Sequence, residues 1–326
     1  MKNTESTSAS HPLWRRLIGP VFLLAILAFL TLYLKNINYH KLAHLNLNWW
    51  WLLLASVLAL VARYLSVFIW RVILHSLGSQ KLPEYPLMSY VFAKAWMARY
   101  IPGTITWVAG RIYMASHYGI SKSRLTVSSL LEGGMQVVAG IVISLLLIGL
   151  GGHVNAIDTG VKVFAVIAAL LCLLALVPPV FNRLLHTAHL VIKRQRPSDE
   201  LRVNGQAVWR SFLLFCVSSI LAGTANFLLA KAVLPHLGAH LYLYLVGTFG
   251  LAGAIGIATP FLPSGIGVRD GIQLVLLSLV VSKESALVIT VLSRLWSVLV
   301  DVLFFAVAAG FYQRWRRDHP ELAQKS

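Results

Sequence analysis

The chain has 326 residues, of which 58% are hydrophobic and only 12% charged, about half the charged share usual in soluble domains; its mean hydropathy is +0.74. No water-soluble packing hides that much apolar surface, so an aqueous globular domain is excluded. The net charge of +17 has a topological reading, with Lys and Arg in short loops holding the chain's orientation. A share of it can also meet anionic headgroups, at about 1 kcal/mol per basic residue near the surface. Nucleic-acid binding is not expected, because no basic region has a soluble fold to present it.

The predicted elements begin with a polar tail over 1–14, followed by a span over about 17–34 that reads as a retained anchor rather than a cleaved signal. A second span covers about Trp49 to Leu74, opening on three consecutive tryptophans suited to the membrane interface and carrying Arg63 near its middle. The stretch 86–120 is less apolar and is broken by IPGTITWVAGR at 101–111, where Pro102 and Gly103 end a helix. Two short helices meeting at a break are expected there, as a re-entrant hairpin or two thin spans. A third span covers about 125–150 and a fourth about 161–180, with a turn-like loop at 151–160 between them. The most basic loop, 181–206, leads to a fifth span over about 208–234. A second broken region runs over 240–281, interrupted by ATPFLPSGIGVRDG at 258–271. The last span covers about 284–311, and a basic tail follows over 313–326. The fold class expected is therefore an all-α polytopic bundle, a single membrane domain over 15–312 with about six full spans and two Gly/Pro-broken hairpins.

Lys and Arg cluster in the N-terminal tail, the 75–86 and 112–124 segments, the 181–206 loop and the C-terminal tail. That distribution puts both termini on the cytoplasmic side of a bacterial-type inner membrane, provided each broken segment enters and leaves on one face.

Displacing the sequence by 161 positions aligns the two broken regions without a gap: Pro102 meets Pro263, Gly110 meets Gly271, and Ser121-Lys122 meets Ser282-Lys283. The repeats would run over about 86–150 and 247–311, separated by an odd number of crossings, which inverts one relative to the other. Inverted repeats with interrupted helices point to a transporter-type site near the midplane. Irregular backbone at that depth is tolerated only when buried in protein or lining a polar cavity.

The sharpest motif is PSGIGVRDG at 263–271. Pro263 stops a helix, Gly265 and Gly267 allow unusual backbone angles, and the following N–H groups favour an anion such as a lipid phosphate. Arg269 can pair bidentately with that phosphate, and Asp270 can hold Arg269 or sit at the helix start. The alternative is a plain turn with an interfacial Arg-Asp pair. Arg99 and Arg111 flank the first break and either face a headgroup or snorkel to the interface. Glu132 in the third span, and Arg294 and Asp301 in the last, are ionisable at membrane depth. Arg294 and Asp301, seven apart, share one helix face. A polar pathway is one reading of these residues; a structural ion pair between helices, such as Glu132 with Arg294, is the other. Arg63 and Asn226 are similar cases. His186 and His189 share a helix face in the basic loop, with no convincing metal site. Cys172 and Cys216 lie in apolar runs without metal-ligand spacing. No P-loop and no nucleophile motif is present, so no cofactor, nucleotide or catalytic residue is expected.

PSGIGVRDG resembles the P-G-G-hydrophobic-G-V-R-E signature of the flippase-like transmembrane domain, the membrane half of bacterial lysylphosphatidylglycerol synthases. IPGTITWVAGR resembles that family's first, less strict signature, and the likeness covers roughly 15–315. It implies a multi-span domain linked to translocation of aminoacylated or glycosylated lipids, with Pro102, Gly103, Arg111, Pro263, Gly265, Gly267, Arg269 and Asp270 as matching positions. Ser264 replaces a glycine and Asp270 the usual glutamate. The synthases carry a soluble aminoacyl-transferase domain after the spans, and none follows in this sequence, so lipid-modifying activity is not expected. The partner expected is a phospholipid or lipid-linked sugar within the bilayer. Alternatives are a scaffold docking an envelope enzyme through the 181–206 loop, or a membrane enzyme acting on a lipid-linked sugar through Asp270, Glu132 or Asp301.

Overall fold

The computed structural model describes residues 47–79, 82–100, 106–150, 159–174, 180, 183, 205–259, 265 and 267–319. The expected first span, Pro102, Gly103, Pro263 and nearly all of the 181–206 loop lie outside the described residues. The described chain is helical: α1 (Trp49–Ser76), α2 (Tyr85–Met97) running into a 3-10 turn (Ala98–Tyr100), α3 (Thr106–Ser116), α4 (Lys122–Leu150), α5 (Thr159–Leu174), α6 (Gly205–Val233), a 3-10 turn (Ala239–Leu241) into α7 (Tyr242–Ala258), α8 (Val268–Leu277) and α9 (Lys283–Asp318). Among the described residues no strand occurs.

Five of these elements are long and apolar enough to cross a membrane: α1, α4, α6, α7 with its leading 3-10 turn, and α9. The sequence reading treated α7 as one arm of the second broken region. Its 20 residues, turn included, reach about 30 Å at 1.5 Å per residue. α5 is described over Thr159–Leu174; most of the rest of the span expected there lies outside the described residues.

Local signals explain the helix ends. Asn48 caps α1, its side chain accepting from the N–H groups of Trp50 and Trp51 at 3.1 and 3.3 Å. The helix stops at Gly78, whose φ of +81° suits glycine. Ser121 accepts from the Arg124 N–H at 3.3 Å where α4 starts, and Ser282 accepts from the Ser285 N–H at 3.3 Å where α9 starts. The same displacement of 161 carries Ser121 onto Ser282. It also carries the ends Met97 and Ser116 and the start Lys122 onto Ala258, Leu277 and Lys283, which end or start the corresponding helices.

Packing exchanges the two halves. α2 and α3 lie against each other, as do α7 and α8, so each broken region is a helical hairpin. α2 rests on α9, whereas α7 rests on α4; α1 and α6 pack against each other. The contact of α7 with α4 is close because small residues face it. A side chain at Gly247 would meet the Ser144 carbonyl oxygen at 2.7 Å, and one at Gly140 would meet Ala254 Cβ at 2.9 Å. Close backbone approach through small residues is the usual way membrane helices gain packing energy. One apolar cluster joins the start of α1 to α6, α7 and α9 through Tyr244, Phe249 and Val300. A second joins the end of α1 to α2, α3 and α9 through Trp70, Phe92 and Phe304. Val300 and Phe304 bracket the residue on which the site is built.

Candidate functional site

Asp301, in the middle of α9, has no solvent exposure. An isolated carboxylate there would be very costly, and the chain meets that cost with four donors. Arg63 Nε of α1 reaches Asp301 Oδ1 at 2.9 Å, and Trp96 Nε1 of α2 reaches the same oxygen at 3.2 Å. Arg99 and the Tyr100 hydroxyl, both in the 3-10 turn at the tip of the first hairpin, donate to Oδ2 at 2.5 Å each. The guanidinium carbons of Arg63 and Arg99 lie 5.0 and 4.5 Å from the centre of the Trp96 ring, and an aromatic face of that kind holds a cation in place. Asp301 thus ties the first hairpin tip and α1 to the last span.

The second hairpin brings its own cation to this hub. Arg269 stands in the first turn of α8, part-buried, with Arg294, Asp270, Arg99 and Arg63 all within electrostatic reach. Among the described residues no carboxylate or carbonyl accepts a hydrogen bond from it. Arg294 lies within reach of Asp270, Arg99, Tyr100 and Asp301. Asp270 Oδ2 accepts the Gly267 N–H at 3.2 Å, so this carboxylate fixes the start of α8. Gly265 and Gly267 have φ of +65° and +86°, which bends the chain sharply into α8. A side chain at Gly265 would stand 2.7 Å from Gly256 Cα, and one at Gly256 would stand 3.1 Å from Arg269 Cβ. The hairpin arms therefore touch backbone to backbone, and Arg269 lies directly over Gly256.

That contact makes a prediction. Gly265→Ala forces a left-handed angle on alanine and drives its methyl into immovable backbone, with an expected cost of about 2–4 kcal/mol. Gly267→Ala meets nothing within 4 Å and should cost only the backbone term, about 1–2 kcal/mol. Thermal unfolding of the two purified variants should rank them in that order; equal losses would remove the close contact.

A second polar pair lies apart from the hub. Arg111 of α3 and Glu132 of α4 form an ion pair buried in the protein. The Arg111 guanidinium is enclosed by the rings of Phe92, Trp107 and Trp70, at 4.1, 4.8 and 5.0 Å. In the other half, Gln273 of α8 donates to Ser293 Oγ of α9 at 2.9 Å, also buried, and Ser293 is the position onto which Glu132 falls after the displacement of 161. Each hairpin's second arm is thus fastened to the long helix after it, by charge in one half and by neutral groups in the other.

The structure therefore divides the predicted residues. It brings together Arg99, Arg269, Asp270, Arg294 and Asp301, with Gly265 and Gly267 shaping the second tip. Glu132 does not pair with Arg294, as the sequence suggested, but with Arg111. Arg111 faces neither a headgroup nor the interface; it is fully buried under aromatic rings. Asn226 bonds its own helix, its amide donating to the Ala222 carbonyl at 2.8 Å. Trp96, Tyr100 and Gly256 were not singled out from the sequence. Two polar aromatics flanking an arginine just before a Pro-Gly break were the available signal for the first two.

The family described as lysylphosphatidylglycerol synthase TM region matches residues 16–304 of this chain. No curated protein and no solved structure matches it.

Proposed function

Since the chain belongs to the lysylphosphatidylglycerol synthase TM region family, a membrane family linked to lipid handling, we propose that it translocates an anionic, glycosylated or aminoacylated phospholipid through a polar hollow between its two hairpin tips. The hairpins enter the bilayer from opposite leaflets, as the two halves of an inverted repeat, in a bacterial-type inner membrane with both termini cytoplasmic. The exchange of hairpins between the long helices supports that arrangement. The headgroup passes the hub while the acyl chains remain in lipid.

One observation carries the reading. Arg269 is a part-buried cation in a membrane domain, within electrostatic reach of three other arginines and of one carboxylate, Asp270, and without a hydrogen-bond acceptor among the described residues. A cation so placed is expensive unless an anion visits it, and a lipid phosphate is the anion a bilayer supplies. No nucleotide or metal is called for, so the movement follows a gradient or a downhill path.

The test is lipid scrambling in liposomes reconstituted with the purified chain and fluorescent lipids of different headgroups. A charge-assisted hydrogen bond of about 1.5–3 kcal/mol makes Arg269→Ala about 10- to 100-fold slower than wild type. Arg314→Ala, an exposed arginine at the far end of α9, should leave the rate unchanged. Equal rates for Arg269→Ala and wild type would sink the proposal.

A further inference from the structure

We infer that the end of α9 is a strap that holds the first hairpin closed, and that α2 is the arm released when a lipid passes. The inference rests on the reading that a lipid travels between the two hairpins.

The two first arms are seated differently. α7 is notched into α4: a side chain at Gly247 would meet the Ser144 carbonyl oxygen at 2.7 Å, and one at Gly250 would meet Ser144 Oγ. With backbones that close, any sliding drives the side chains of one helix into the main chain of the other. α2 contains no glycine and meets α9 through broad rings. The Tyr90 and Phe305 ring centres are 6.1 Å apart, and those of Phe92 and Phe304 6.4 Å. Packed faces of this kind can shear past one another in small steps. The inner end of α2 is tied to Asp301 through Trp96, and the strap ties the outer end.

The strap is built from the last turns of α9. That helix has 36 residues, about 54 Å at 1.5 Å per residue, and so outruns a bilayer core of about 30 Å. Near its end, Tyr312 stacks on Tyr90, with ring centres 4.6 Å apart and planes 9° from parallel. Trp315 stacks on Tyr312 at 6.0 Å and donates its indole N–H to Glu84 Oε2 at 2.5 Å. Glu84 is the residue that caps the start of α2. His319 continues the row behind Trp315, 5.3 Å away. The Trp315–Glu84 bond is exposed, so water can replace it at small cost when the arm lifts.

The strap belongs to one half only. The displacement of 161 pairs Glu84, Tyr90, Tyr312 and Trp315 with Leu245, Leu251, Gly151 and Val154. None of those four residues offers an acid or a ring. The two hairpins are thus held by different means, one by an interlocked backbone and the other by an exposed clasp. A clasp can open and close on the time scale of helix shear, whereas a notch cannot.

The experiment uses the full chain. Trp315→Leu removes the indole N–H and the ring stack while keeping an apolar side chain. Backbone hydrogen exchange in α2 is expected to quicken about 3- to 10-fold, with α7 unchanged. In liposomes, scrambling of fluorescent phosphatidylglycerol and phosphatidylethanolamine should quicken by a similar factor, a gain that a merely structural contact would not give. Trp315→Phe keeps the stack and should fall between Trp315→Leu and wild type. Arg314→Ala, exposed in the same turn, should change neither reading. In a double variant, Glu84→Cys with Trp315→Cys, a short cleavable thiol cross-linker should slow scrambling below wild type, and cleaving it should restore movement; each single variant treated alike is the control. The cross-linked variant decides the matter if Trp315→Leu does not fold. Exchange that rises equally in α2 and α7, or scrambling that Trp315→Leu fails to quicken and the cross-link fails to slow, overturns the strap and leaves the translocation reading standing. A wild type that moves neither lipid overturns that reading, and the strap's role with it.

Discussion

Asp301→Asn is expected to destabilise the protein by about 3–5 kcal/mol, read as a lower melting midpoint in detergent, and to abolish lipid movement. The substitution keeps the shape and removes the charge. Arg63 and Arg99 then lose the carboxylate that compensates both. Whichever way the amide turns, its NH2 group faces a donor: Tyr100 and Arg99 on one side, or Trp96 and Arg63 on the other. A buried donor facing a donor loses its bond and its solvation together. Arg63→Gln should cost less, because Arg99, Trp96 and Tyr100 still hold the carboxylate. A loss below about 1 kcal/mol for Asp301→Asn would mean the hub is wet and its bonds exchange with water.

The Arg111–Glu132 pair should behave differently. Glu132→Gln alone leaves an arginine charge in an aromatic box and is expected to cost about 3–5 kcal/mol. Arg111→Met combined with Glu132→Leu replaces the pair with apolar groups of similar size among Trp70, Phe92 and Trp107. That double variant should regain most of the lost stability, since a buried ion pair rarely beats well-packed apolar side chains. A double-mutant cycle on unfolding free energies checks this, and its coupling term should be large. Lipid movement should survive in the double variant, because the pair fastens α3 to α4 and both side chains are buried within the protein. If stability returned and transport did not, Arg111 would belong to the lipid path after all.

The extent of the helices was legible in the sequence because one signal dominates it. An apolar run of bilayer length, closed by a polar cap, gave 49–74, 125–150, 208–234 and 284–311. The helices found there are Trp49–Ser76, Lys122–Leu150, Gly205–Val233 and Lys283–Asp318. Both hairpins were announced by Pro-Gly and Pro-Ser-Gly breaks, although the Pro residues themselves fall outside the described residues. The ion pairs were not legible. Periodicity says which residues share a face of one helix, and it placed Arg294 and Asp301 together correctly. It says nothing of which helix faces them. The cations that reach Asp301 come from positions 63 and 99, more than 200 residues away in sequence. Glu132 was assigned the wrong arginine for the same reason: Arg111 looked like the flank of a break, and nothing local reveals that α3 folds back along α4. Trp96 and Tyr100 carry no charge, so a search for ionisable groups passed over them.

The cross-over of the hairpins has a consequence for how such a molecule can arise and come apart. α2 leans on α9 and α7 leans on α4, so each half supplies the bed on which the other half's hairpin lies. The second arms stay with the long helices that follow them, α3 on α4 and α8 on α9, so only the first arms cross over. Cutting the chain between α4 and α7 would therefore strip the first arm of each hairpin of the long helix it rests on.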